Sequence, residues 1–197
     1  MIISFSGPPG SGKSTIAKML AQHLGWPRYY VGEMRRQAAA KRGMTLEEYN
    51  KLGESDPSTD REVDEWIKEL GAKQDNFIIE SRTAWHFIPH SLKIYINVEE
   101  KTGAQRILNQ LKSKQRKKEA EKFETIDQIM AVNRQRMASD KKRYKKYYDI
   151  DAFDKKNYDL VADTSGKTKE QTFDEIWAFI EPKLNQDSEE TTTRARN

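Results

Sequence analysis

The sequence contains no cysteine, which excludes a disulfide framework and any thiolate metal site. Histidine is scarce as well. His23, His86 and His90 are scattered without zinc-site spacing, so any metal is expected to be a hard cation held by oxygens. Long apolar runs are missing, and no window approaches the roughly 20 residues that a membrane span needs. The chain enters an apolar strand at Ile2 with no basic leader before it. A cytoplasmic protein without a membrane partner is therefore expected.

What remains is a polar chain of 197 residues, 36% hydrophobic and 34% charged, so its apolar residues must be concentrated in a few short strands and amphipathic faces. The length suits one domain, placed at residues 1–184. Residues 185–197 have almost no large apolar side chain and are expected to form a disordered tail. No internal repeat is visible. Net charge is only +4, yet lysine and arginine crowd into 112–118 and 141–146. Such clusters suit polyphosphates or nucleic acid.

The apolar pattern gives an alternation of strands and helices. Ile2–Ser6, Phe77–Glu80, Leu92–Val98 and Tyr158–Ala162 read as strands. Ile16, Met19, Leu20 and Leu24 recur at helical spacing before Gly25 and Pro27 end the run. Three short helices follow. One starts near Gly32, one is opened by the Thr45/Glu48 capping-box pair, and one by Asp56 as N-cap with Pro57 in its first turn. Glu99–Leu111 is a further helix, Thr125 with Gln128 opens a long one to about Tyr147, and Gly166 precedes a last amphipathic helix. Strands separated by helices predict a parallel sheet.

Between the first strand and helix lies Gly7-Pro8-Pro9-Gly10-Ser11-Gly12-Lys13-Ser14, which fits G-x-x-x-x-G-K-[ST] in the context that this motif requires. The glycines let backbone N–H groups curve around phosphate oxygens. Lys13 is placed to reach the outer phosphates and Ser14 to coordinate magnesium, with Thr15 next on the helix. Gly7 to Thr15 are thus expected to bind a nucleoside triphosphate, but such a loop serves kinases, GTPases and motor ATPases alike.

The acceptor side carries a resemblance over roughly residues 2–165. Gly32-Glu33-Met34-Arg35-Arg36, Glu80-Ser81-Arg82, and the Arg136/Asp140/Arg143 row at i, i+4, i+7 are similar to segments of the nucleoside monophosphate kinases, most closely the short cytidylate kinases of archaeal type. The resemblance implies a P-loop NTPase fold of α/β class. It has a central parallel five-stranded sheet flanked by helices, a monophosphate-binding insert near 32–72 and a lid near 110–124. It also implies ATP as donor, CMP or dCMP as acceptor, and magnesium as cofactor. By the same likeness Arg36, Arg82 and Arg143 hold the acceptor phosphate and Asp140 its sugar. Arg106 and Arg136 act with Lys13 on the transferring phosphoryl. Glu80 holds magnesium through water beside Ser14, and the Thr164-Ser165 turn lies near the donor adenine. One departure is Gln110, where the family has a second lid arginine, leaving Lys112 or Arg116 as substitutes.

On chemistry alone, a fork of guanidinium donors suits a phosphate, and strand carboxyl ends in such sheets are where ligands bind. The base pocket stays open: Asp56, Asp60, Asp64 and Thr83 are compatible with cytosine or adenine, and Trp85 could stack on a base or fill core. Two rivals follow: a kinase with AMP as acceptor, or an ATP-switched RNA-binding or assembly factor using the lysine clusters. The absence of any nucleic-acid-binding motif argues against a nucleic-acid partner, and a monomer is expected.

Overall fold

The computed structural model describes residues 1–112 and 123–194. Its order is β1 (Ile2–Ser6), α1 (Lys13–Leu24), β2 (Arg28–Tyr30), α2 (Val31–Lys41), α3 (Leu46–Gly53), α4 (Ser58–Lys73), β3 (Phe77–Glu80), α5 (Ala84–Phe87), β4 (Leu92–Asn97), α6 (Glu100–Lys112), α7 (Ile126–Tyr148), β5 (Leu160–Asp163) and α8 (Lys169–Arg194). The five strands are all parallel in the order β2-β3-β1-β4-β5. This is the expected sheet, with the motif-bearing strand at its centre.

Period-two alternation sorts the strand side chains onto two faces. Ile3, Phe5, Ile78, Ile94 and Ile96 meet Ile16 and Leu20 of α1 and Ile176 and Ile180 of α8. Ile2, Phe77 and Ile79 meet Val63, Ile67 and Leu70 of α4 and Ile88 beyond α5. A buried side chain of this kind stabilises the fold by about 1.5–3 kcal/mol, so the sheet is anchored on both faces. A smaller cluster of Ala104, Leu108, Leu111 and Ile129 zips α6 to α7.

Local signals placed most helix ends. Thr45 and Thr125 each form a complete capping box with Glu48 and Gln128. At α4 the cap sits further from the helix than expected, because Asp56 Oδ1 accepts from Ser58 N at 2.9 Å and the helix begins after Pro57. Strand β2 and helix α5 escaped the pattern, being three and four residues long. β4 stops at Asn97, and β5 lies two residues beyond its expected start. Helix α8 runs to Arg194, through much of the stretch assigned to a tail, and no glycine or proline after Pro182 interrupts it. Most of the expected lid, with Arg116, lies outside the described residues.

The insert formed by α2, α3 and α4 is fastened to α7. Ser139 Oγ donates to Asn50 O, Lys142 Nζ to Glu54 Oε2, Lys146 Nζ to Glu54 O and Tyr147 OH to Gly53 O, at 3.3, 2.7, 2.9 and 2.8 Å. Lys141 pairs with Asp151 and Lys145 with Asp149, so all four lysines of 141–146 are engaged within the chain.

Candidate active site

The loop after β1 is shaped by backbone contacts that only glycine permits. Gly7 has φ +138° and a Cβ there would lie 2.1 Å from the carbonyl oxygen of Ile96; Gly10 has φ +76° and its Cβ would lie 2.2 Å from that of Gly103 in α6. The loop then delivers its N–H groups to the N-terminus of α1, where the helix dipole favours an anion. Lys13 Nζ bends back to Pro8 O at 2.7 Å and Ser11 Oγ at 3.3 Å. Burial and the like charges of Arg82 and Arg136, only partly opposed by Glu80, push the Lys13 ammonium down to about 7.

Sheet register brings the acidic partner to this loop. Glu80, last in β3, lies level with Phe5 on one side and Tyr30 on the other, one residue short of the end of β1. Its Oε2 accepts from Ser14 Oγ at 2.6 Å. Its Oε1 accepts from Arg28 Nη1 at 2.8 Å, and the same nitrogen donates to Ser14 O at 3.0 Å. Burial pushes the Glu80 carboxyl up despite Ser14, Arg28 and Lys13. A hydroxyl and a carboxylate in contact are a hard-oxygen donor pair suited to magnesium, with phosphates and water completing its shell. Arg28 was not foreseen, since nothing in Arg-Tyr-Tyr indicates that its partner lies 52 residues away.

Opposite the loop stand the arginines. Arg36 donates to Glu33 Oε2 from Nε and Nη2 at 3.1 and 2.9 Å, and its guanidinium lies 5.1 Å from the Tyr30 ring centroid. Burial works against its charge, but Tyr30 and Glu33 outweigh that and raise it. Arg82 Nη1 pairs with Asp140 Oδ2 at 2.9 Å. Burial and Arg82 push Arg136 down to about 10, with Asp140 opposing. Among the described residues Arg136 has no ion pair within 4 Å, and its buried Nε has no hydrogen-bond partner. A desolvated, unpaired guanidinium is expensive unless an anion meets it.

Asp140 and Arg143 sit differently from the expectation. They do share the helix face of Arg136, but Arg143 is fully buried and its guanidinium bonds Asp60 and Asp140. Its guanidinium is drawn from the cavity to these two carboxylates, and its side chain lies against Gly53 of α3 and Asp60 of α4. Burial pushes Asp140 up, and Arg82, Arg143 and Arg136 overrule it and hold it below the usual carboxylate range. Asp60 also receives Arg35, which reaches Asn50 Oδ1 at 3.0 Å and Thr59 O at 3.3 Å. This buried network ties α2, α3, α4 and α7 together beside the cavity.

On the loop's other flank, Arg106 of α6 donates to Thr164 Oγ1 at 2.8 Å and Thr164 O at 2.6 Å. Thr164 Oγ1 in turn donates to Ser11 O at 3.1 Å. The Thr164 turn is thus locked to the phosphate loop. Ser165 Oγ accepts from Glu99 N at 2.8 Å, just ahead of α6. Trp85 packs on Tyr158 and donates Nε1–H to Arg82 O at 2.9 Å, which answers the choice between base stacking and packing in favour of packing.

Pro9 to Thr15, Glu80, Arg36, Arg82, Arg106, Arg136, Gln110 and Thr164 line one cavity of about 890 Å³. Gly7, Pro8, Ser165, Asp140 and Arg143 do not line it. Tyr30, Arg35, Asp60, Asp64, Thr83 and Tyr144 also reach it. No periodicity marks them, although the Asp60/Asp64 spacing of one helical turn does put both on one face of α4.

Among curated proteins, the cytidylate kinase of Methanocella arvoryzae is 41% identical over 165 residues, which is 84% of this chain and 88% of that protein. The cytidylate kinase of Halorubrum lacusprofundi is 38% identical over 184 residues, 92% of this chain and 90% of that protein. The chain belongs to the cytidylate kinase family. A family model described as an AAA domain matches residues 3–127, from β1 to the start of α7. Solved structures agree on the fold of this cytidylate kinase family member. An uncharacterised protein from Eubacterium ventriosum has a TM-score of 0.67 at 17% identity, covering 92% of this chain and 98% of its own. A shikimate kinase from Bacteroides thetaiotaomicron has a TM-score of 0.61 at 14% identity, with the same coverage.

Proposed function

We propose that the chain transfers the γ-phosphoryl group of ATP to CMP or dCMP, giving ADP and CDP or dCDP. The observation that carries this reading is the convergence of Lys13, Arg82 and Arg136 on one cavity, close enough that Arg82 weakens the hold of Lys13 and Arg136 on their protons and Arg136 weakens that of Lys13. Such a cluster suits two phosphate chains that repel each other until several cations lie between them. Transfer to a hydroxyl or phosphate oxygen then needs positioning and charge neutralisation, without a separate strong base.

In this reading Gly10 to Thr15 hold the donor phosphates, and Lys13, Arg106 and Arg136 meet the charge of the transferring phosphoryl. Arg36 and Arg82 hold the acceptor phosphate. Asp140 orients Arg82, and Arg143 positions Asp140 and Asp60 without touching substrate. Thr164 sets the donor side through Arg106. Ser14, with Glu80 through water, would hold magnesium, which would supply charge neutralisation to the donor phosphates. All the residues given roles here lie in one chain, which supports a monomer as the working unit.

The test is ATP consumption coupled to a monophosphate panel of CMP, dCMP, UMP, AMP and GMP. Cytidine nucleotides should dominate. Preference for AMP would transfer the reading to an adenylate acceptor, and acceptor-independent ATP turnover would refute it.

A further inference from the structure

We propose that Asp64, steadied by Thr83 and Tyr148, reads the exocyclic amino group of the acceptor base and so separates amino-bearing bases from oxo-bearing ones. This rests on the nucleotide-kinase reading above and names the part of the acceptor that the arginines leave unread.

Two carboxylates one helical turn apart on α4 face the same cavity, and their surroundings differ. Asp60 is neutralised by Arg35 and Arg143. Asp64 forms no ion pair among the described residues. Its Oδ1 accepts from Thr83 Oγ1 at 3.1 Å and its Oδ2 from Tyr148 OH. It is 5% exposed. Burial pushes it up to about 6, with the charge of Asp60 adding and the two hydroxyls opposing. A buried carboxylate without a cation weakens the fold, and such groups concentrate where a ligand needs them.

The cavity's cations fix where phosphates go, and an uncompensated carboxylate repels a phosphate. The ligand surface facing Asp64 must therefore be uncharged and rich in hydrogen-bond donors. Each carboxylate oxygen accepts one hydroxyl proton and retains a lone pair for a further donor. With both neighbouring hydroxyl protons directed at it, an ionised Asp64 offers the cavity acceptors only. It welcomes the 4-amino group of cytosine or the 6-amino group of adenine and repels the carbonyl oxygen that uracil and guanine carry there. Val31, Val63 and Tyr144 add apolar wall for a flat base. A sugar hydroxyl is the competing donor, and base and sugar series separate the two.

The experiment measures kcat/KM of the full chain for CMP, UMP and dCMP in wild type, Asp64→Asn and Tyr148→Phe. An amide can donate to a carbonyl, so Asp64→Asn should lower the CMP/UMP ratio at least about tenfold, since a missing polar match is heavily penalised. Tyr148→Phe keeps the carboxylate and should leave the ratio within about twofold. These ratios survive partial unfolding, because lost enzyme affects both substrates equally. An unchanged CMP/UMP ratio in Asp64→Asn overturns the proposal, as does a changed CMP/dCMP ratio alone, which would make Asp64 a sugar contact. If Asp64→Asn does not fold, the ribonucleotide of 2-pyrimidinone, which lacks the 4-amino group, decides on wild type. A kcat/KM equal to that of CMP overturns the proposal, and a drop of about tenfold or more supports it. A wild type that phosphorylates no monophosphate refutes the kinase reading itself, a result distinct from all of these.

Discussion

Asp60 offers the sharpest test of how the wall behind the cavity is built. Arg35, Arg82, Arg136 and Arg143 crowd around Asp60 and Asp140, and two of those guanidiniums bond Asp60. Asp60→Asn keeps the shape and removes the charge. Breaking a buried pair costs about 3–5 kcal/mol, because the partner cation remains without water or counter-ion. Here Arg35 keeps Asn50 and Thr59, and Arg143 keeps Asp140, which argues for the lower end, about 3 kcal/mol. For a domain of this size 1 kcal/mol shifts Tm by about 2–4 °C, so a drop of about 6–12 °C is expected in a thermal melt followed by far-UV circular dichroism. Arg143→Met should cost less, since Asp60 would still hold Arg35. The double variant should fall short of the sum by about 1 kcal/mol, because the two residues share one interaction. A drop below 2 °C for Asp60→Asn, or strict additivity, would refute this account of the network.

Lys13→Ala and Arg136→Ala should each lower kcat at least about 100-fold with little change in Tm, as electrostatic contacts to a transition state are worth that much; near-normal turnover in either removes that residue from the mechanism. Burial and neighbouring cations push Lys13 down to about 7, and a polyphosphate would raise it, so binding of ATP at pH 8, where ATP is already fully ionised, should take up close to one proton. Calorimetry of ATP in buffers of different ionisation enthalpy measures this, and buffer-independent heats at pH 8 would contradict it. Gly10→Ala should abolish triphosphate binding, because both the positive φ and the 2.2 Å approach to the Gly103 carbonyl oppose a side chain; fluorescent-nucleotide titration reads the loss.

The parts legible in the sequence were those whose causes are local. The phosphate loop is set by glycines within eight residues, and both capping boxes by side chains three residues apart. The parallel sheet followed from buried apolar strands alternating with helices. Arg28, by contrast, looks like any strand arginine until the register of β3 brings Glu80 beside it. Spacing correctly placed Arg136, Asp140 and Arg143 on one face of α7, but spacing says nothing about what covers that face. The packing of α3 and α4 over its second half buries Arg143 against Asp60 and Asp140, outside the cavity lining. Asp64 was visible as an acid and became distinctive only once Asp60, one turn away, proved to have taken the cations.

The contact between Gly10 and Gly103 enlarges what counts as the phosphate-binding motif. A Cβ at residue 103 would lie 3.0 Å from Pro9 O and 3.1 Å from Val98 Cγ1, so the helix behind the loop has no room for even a methyl group without displacement. Glycine inside a helix costs about 1 kcal/mol relative to alanine, a local penalty that α6 bears for the loop's sake. The motif thus has a ninth position some ninety residues downstream. Transplanting the eight contiguous residues onto another scaffold would import the loop's sequence without the groove that seats it, and the graft would need the second glycine to hold its shape.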